Sequence, residues 1–256
     1  MKTLQILNHP KYTTTKIVSL NRSEVKNAFN PDMIHELTDI FNLLSKDINT
    51  ELIILKGSGN VFCAGADLNW MKSMVNYSLE ENIQDSNKLW DMFEAITFCN
   101  KPVIGVVQGA AYGGALGLMA ACDHVFVQQD TKFCFSEVKL GLSPAVISAF
   151  ILKKCPDTFV RPYMLNAEIF TAHMTLTMGL AHTIYKVENE IEAIIEKYQS
   201  LELKAVAETK KLMNDIFISK NKESWAQQKL NTTTVISQLR VGVEAQSRFK
   251  KFLDKK

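Results

Sequence analysis

Three stretches of this 256-residue chain combine residue types and spacings that could do chemistry. Two are rich in very small side chains: "FCAGADLNWM" at 62–71 and "QGAAYGGALGLM" at 108–119. Each follows an apolar run and leads into a helical pattern, so each would point free backbone N–H groups at whatever occupies the gap beside it. Two such donors aimed at one point make an oxyanion hole, which stabilises negative charge developing on a carbonyl oxygen. Small side chains matter there because a larger one would keep a substrate away from the backbone. Gly-Ala runs also occur wherever helices pack closely, so either stretch alone leaves the choice open. The third stretch is "KFCFSEVKLGLSPAVIS" at 132–148, where Glu137 stands between apolar residues just before a turn. Buried, that carboxyl would have a raised pKa and suit general acid/base work. Spacing alone favours the plainer reading of a loop glutamate at the surface.

The elements that must hold these stretches follow from periodicity. "TKIVSL" (15–20) reads as a short strand, and a helix is predicted from Pro31 because Met33, Ile34, Leu37, Ile40, Phe41 and Leu44 recur at helical spacing. "ELIILKG" (51–57) and "KPVIGVVQG" (101–109) read as buried strands ended by glycine, and "DHVFVQQD" as another. A second amphipathic helix carries Leu79, Ile83, Leu89, Trp90, Phe93 and Ile96 on one face. Ser143-Pro144 has the form of an N-cap followed by a first-turn proline. Strand and helix alternate with short connectors, which predicts an α/β fold. Beyond about 190 only helical patterns remain.

Composition narrows the function classes. Net charge is +2, so no overall field favours nucleic acid or a membrane surface. The tail "SRFKKFLDKK" is locally basic and reads as a solvated helix end or a phosphate contact. Five scattered cysteines without a C-x-x-C pair fit reduced thiols in a cytoplasmic protein and give no zinc pattern, and the dispersed histidines have no metal-ligand spacing. No signal peptide or membrane span is expected from the first residues.

Taken together, "LNRSEVKNAFN", "FCAGADL", "KPVIGVVQGAAYGGALGLMAACD", "FSEVKLGL" and the terminal "FLDKK" resemble the enoyl-CoA hydratase/isomerase (crotonase) superfamily. The resemblance implies a spiral of β-β-α turns over 1–195 and an all-helical trimerisation region over 196–256, assembled as a homotrimer or a dimer of trimers. It implies an acyl-CoA thioester substrate and no cofactor beyond the coenzyme A moiety, while charge, spacing and hydropathy give no expectation of a metal, nucleic acid or membrane partner. Carried onto this sequence, the oxyanion donors would be the N–H groups of Ala66 and Gly114, and Glu137 would be the acid/base. That reverses the surface reading which spacing alone favours. The coenzyme A portion would lie along Val25, Lys26, Ala64 and Leu68, with Asp67, Gly117 and Pro144 completing the expected binding set.

Hydratases of this superfamily commonly carry a second glutamate five residues before the "CD" dipeptide, where this chain has Gly117. Three readings follow. The chain is a hydratase in which another group orients the water, or an isomerase in which one carboxylate shuttles a proton. The third is a non-catalytic scaffold, binding coenzyme A or RNA. A finer resemblance to bacterial methylglutaconyl-CoA hydratases of leucine breakdown, which share the glycine, favours the first. By volume alone, the missing side chain would also leave room for a branched or carboxylated acyl group. Ser143 departs from that group, which has an apolar residue there.

Overall fold

The computed structural model describes residues 1–254; Lys255 and Lys256, the end of the basic tail, lie outside the described residues. Six strands form the main sheet: β1 (Leu4–Asn8), β2 (Thr15–Leu20), β3 (Leu52–Gly57), β4 (Val103–Val107), β6 (His124–Gln128) and β9 (Thr183–Tyr185), in that spatial order. All neighbours are parallel except β1 on β2. Parallel strands covered on both faces read as continuous apolar runs, as "LIIL" and "VIGVV" do here. Alternation still decides the face: Ile53, Leu55, Val103 and Val107 enter the main core, while Leu52, Ile54, Ile104 and Val106 enter a smaller one. The smaller core is capped by Ile191 and Ile195 of α8 (Asn189–Gln199).

A second, smaller sheet contains β5 (Ala110–Tyr112), β7 (Lys132–Cys134) and β8 (Phe170–Thr171). It is prolonged by two single parallel bridges, Cys63 with Ala111 and Phe29 with Ala66. After β2, β3, β4 and β6, therefore, the chain gives a rung to the second sheet before turning into a helix. This is the spiral of β-β-α turns, and the two small-residue stretches are adjacent rungs of it. Sequence patterning does not reveal these rungs, because two or three residues carry no readable alternation.

α1 (Pro31–Lys46) begins as predicted, with Pro31 in its first turn and the Asn30 side chain accepting from the Met33 N–H; all six expected apolar residues are buried. α3 (Leu79–Thr97) differs from expectation. Trp90, Phe93 and Ile96 are buried, but Leu79 is exposed and the buried face includes Asn82 and Ser86. The cause is α9 (Leu203–Val241), a 39-residue helix docked along α3 by polar contacts. Ser86 Oγ meets Ser237 Oγ at 3.3 Å, and Asp85 is ion-paired with Arg240. Trp225 of α9 packs against Trp90 and Phe150, the latter on α5 (Ala145–Lys154), with ring centroids 5.0 and 5.2 Å away. The helical region beyond 195 thus shares the main core, and the 195/196 division falls inside α8. α10 (Val243–Leu253) completes it by lying near α2 (Leu68–Met74). Among the described residues no helix is long and apolar enough to cross a membrane.

Candidate active site

The adjacent rungs fix the geometry. Cys63 donates to Ala110 O and accepts from Tyr112 N–H, so residues 63–66 run beside 110–114. On the other side, Phe29 N–H donates to Gly65 O and Asp67 N–H donates to Phe29 O, both at 2.7 Å. In a parallel bridge of this form the middle residue faces away from the partner strand, and the Ala66 N–H has no hydrogen-bond partner among the described residues. Gly114 opens α4 (Gly114–Ala121), where a first-turn N–H has no carbonyl of its own helix to reach. Gly113 turns the chain into that helix at φ +55° and ψ −125°, a conformation that side chains disfavour. Gly65, at φ +92°, would bring a Cβ to 3.0 Å from Tyr112 O, so the close approach of the two rungs also requires glycine.

Glu137 begins a 3-10 turn, Glu137–Leu140, directly after β7. A Cβ placed on Gly113 would lie 3.3 Å from Glu137 Oε1 and 3.4 Å from Ser136 Oγ, so both side chains stand at the mouth of α4. Glu137 Oε2 is buried with no hydrogen-bond partner. Burial, with no neighbouring charge to oppose it, pushes the carboxyl up to about 7. The surface reading of Glu137 is corrected: desolvation places it where a carboxyl exchanges protons near neutral pH.

These groups border one cavity of about 540 Å³. Of the expected residues, Val25, Lys26, Ala64, Ala66, Asp67, Leu68, Gly114, Glu137 and Pro144 line it. Lys26 and Asn27 are held at φ near +55° by the buried Asn27 side chain, which accepts from Arg22 N–H and donates to Ser58 O and Val61 O. Lys26 O in turn accepts from Ala64 N–H at 3.0 Å, which joins two of the expected coenzyme A positions. Asp67 borders the cavity but its carboxylate is committed elsewhere. It caps α2 through the Asn69 and Trp70 N–H groups and pairs with Arg22 at 2.8 Å. Pro144 is the N-cap residue of α5; Ser143 does not cap that helix.

Gly117 is the expected residue that the structure does not bring into the site. A Cβ there would meet Ile147 Cγ2 at 2.6 Å and Phe93 Cζ at 2.7 Å. The space of the missing side chain is filled by α3 and α5, and no extra room for an acyl group results. Cys63, inside the oxyanion stretch, is fully buried with its thiol pushed up to about 12 by desolvation, which makes it a packing group.

Sequence reading missed Arg22, which holds Asp67 from outside the cavity lining, and it missed Ser136 and the whole wall built by α9 and α10, including Ile236, Arg240, Phe249 and Leu253. Arg22 and Ser136 lie inside the quoted motifs "LNRSEVKNAFN" and "FSEVKLGL" and could have been singled out there. The helical wall left no such signal, because its residues are far from every motif and become neighbours only when α9 docks.

A carboxyl raised to near neutrality thus shares one cavity with backbone N–H groups that have no partner among the described residues. Residues 11–255 match the enoyl-CoA hydratase/isomerase family, and the chain belongs to it. The enoyl-CoA hydratase ACTT6 of Alternaria alternata is 34% identical over 181 residues, covering 69% of this chain and 57% of that protein. The human mitochondrial Delta(3,5)-Delta(2,4)-dienoyl-CoA isomerase is 31% identical over 163 residues, covering 60% of this chain and 49% of its own length. The match thus spans about half the length of these relatives. A solved enoyl-CoA hydratase structure from Shewanella pealeana superposes with a TM-score of 0.79 at 31% identity, covering 99% of this chain and 94% of that one.

Proposed function

We propose that the cavity adds water across the 2,3 double bond of an enoyl-CoA thioester, with methylglutaconyl-CoA the favoured substrate. The observation that carries this reading is Glu137, whose raised pKa and unpartnered Oε2 suit a base that must take and return a proton. As the water oxygen bonds to C3, Glu137 accepts its proton. The π electrons move to the thioester oxygen, where the Ala66 and Gly114 N–H groups receive the charge. The enolate then collapses, and Glu137 returns the proton to C2. The orienting group that a second glutamate would supply elsewhere is Ser136, whose hydroxyl has no hydrogen-bond partner among the described residues and lines the cavity with Glu137.

Double-bond isomerisation is the second reading, and one observation favours it. Asp67 is held by Arg22, leaving Glu137 as the buried carboxylate free to move a proton between C2 and C4. Turnover assays with crotonyl-CoA, methylglutaconyl-CoA and a 3-enoyl-CoA separate the two. Water addition supports the hydratase, and bond migration without hydration replaces it with the isomerase.

A further inference from the structure

Arg240 is 6% exposed, yet it lines the same cavity as Glu137. Buried guanidinium groups normally spend most of their five N–H donors on protein acceptors. Here Nη1 makes both of the side chain's hydrogen bonds, to Asp85 Oδ2 at 2.8 Å and to Ser86 Oγ at 3.3 Å. Nε is buried without a partner, and Nη2 also has none among the described residues. The pairing therefore leaves one edge of the guanidinium without a protein acceptor, although Nε itself is shielded from the cavity. The Nε and Nη2 hydrogens on that edge are parallel, the arrangement that takes both oxygens of a carboxylate. The group is also held in position. Asp85 Oδ1 accepts from Trp70 Nε1 at 3.3 Å, and the Trp70 ring lies 5.9 Å from the guanidinium carbon. The surrounding wall is apolar, with Ile236, Phe249 and Leu253, so an acyl chain has little else to hydrogen-bond there.

We propose that Arg240 is a specificity residue that receives a terminal carboxylate on the acyl chain at Nη2, with the unpartnered Nε joining as the surrounding wall shifts. The proposal rests on the thioester reading of the cavity, and it concerns binding rather than proton transfer. A purely structural Arg240–Asp85 pair gives no reason for a buried Nε to be left without an acceptor.

The test uses saturated thioesters, which bind without reacting. Titration calorimetry of the full chain compares glutaryl-CoA with valeryl-CoA, which have the same five-carbon length, and includes 5-hydroxyvaleryl-CoA and free coenzyme A. The expected result is at least tenfold tighter binding of glutaryl-CoA than of valeryl-CoA, with 5-hydroxyvaleryl-CoA in between. Equal or tighter binding of valeryl-CoA overturns the proposal while leaving the thioester reading intact. Failure of all three thioesters to bind overturns both. The variant Arg240→Met with Asp85→Asn removes the cation without stranding a buried carboxylate. It should bind the glutaryl and valeryl thioesters within twofold of each other, and a preserved preference for glutaryl-CoA rejects the role of Arg240. The comparison within the unaltered protein stands even if that variant fails to fold.

Discussion

Replacing Glu137 by glutamine keeps the shape of the side chain and removes its proton chemistry. Two consequences follow, and they share one cause. In the unfolded chain this carboxyl titrates near 4.5, whereas in the folded chain burial moves it to about 7. Between those values the folded protein holds the extra proton, so stability falls as pH rises through this window. A shift of this size corresponds to about 3 kcal/mol, fully developed near pH 7; water entering the open side of the cavity reduces it. Glutamine has no such titration. The unfolding free energy of Glu137→Gln, relative to the unaltered protein, should therefore rise by about 1–3 kcal/mol between pH 4 and pH 7.5. Any fixed cost of burying an amide is independent of pH and drops out of that comparison. Urea denaturation at several pH values measures it. In the unaltered enzyme kcat/KM should climb through pH about 7 as the base loses its proton. The variant should lose turnover by a factor on the order of 10² or more while still binding thioester. A pH-independent stability difference, or a variant that still turns over, would refute the reasoning.

Ala66→Pro deletes an N–H that belongs to no hydrogen bond of the resting fold, since the bridge to Phe29 uses Gly65 and Asp67. It should lower kcat by about 10²–10³-fold with an unchanged circular dichroism spectrum, and full activity would exclude Ala66 as a donor. Ser136→Ala should reduce hydration about tenfold, the value of one hydrogen bond to the water, and should leave any 3-enoyl-CoA isomerisation unaffected; equal losses in both reactions would remove Ser136 from the water site. Gly117→Glu, which inserts the carboxylate of other hydratases, should cost more than about 3 kcal/mol and bring no gain in rate, because Phe93 and Ile147 occupy its path. A stable and faster variant, checked by thermal melting and turnover, would contradict that packing.

The longer elements were legible in the sequence because their patterns are long enough to average out noise. α1 and the strands Thr15–Leu20, Leu52–Gly57 and Val103–Val107 all lie where periodicity places them. The face of α3 was not legible, because a stripe of leucine and isoleucine is a weaker determinant than the partner that docks on it. Ser86 is buried since α9 offers Ser237 and Arg240 at that surface, and the buried Asn82 donates instead to Tyr77 O and Ser78 O at the helix start. At the site, the backbone donors could be located from small residues near helix starts, but the state of Glu137 could not. Its pKa depends on burial, and the neighbouring residues of the chain do not determine that.

Gly117 shows why a missing side chain is a poor guide to empty space. Interiors are packed to near-crystalline density, so a position that lacks a side chain is normally filled from the opposite wall. Here Phe93 and Ile147 fill it, and Phe93 is itself fixed by Phe150, with ring centroids 5.4 Å apart. Phe150 packs in turn on Trp90 and Trp225. Enlarging the cavity at Gly117 would therefore disturb an aromatic cluster shared by α3, α5 and α9, which makes that wall rigid. The cavity wall with Trp70, Ile236, Arg240 and Phe249 carries a guanidinium whose Nε no protein group has taken. On the Arg240 proposal, selection among acyl groups lies with α9 and its guanidinium, and the glycine in α4 acts by closing space.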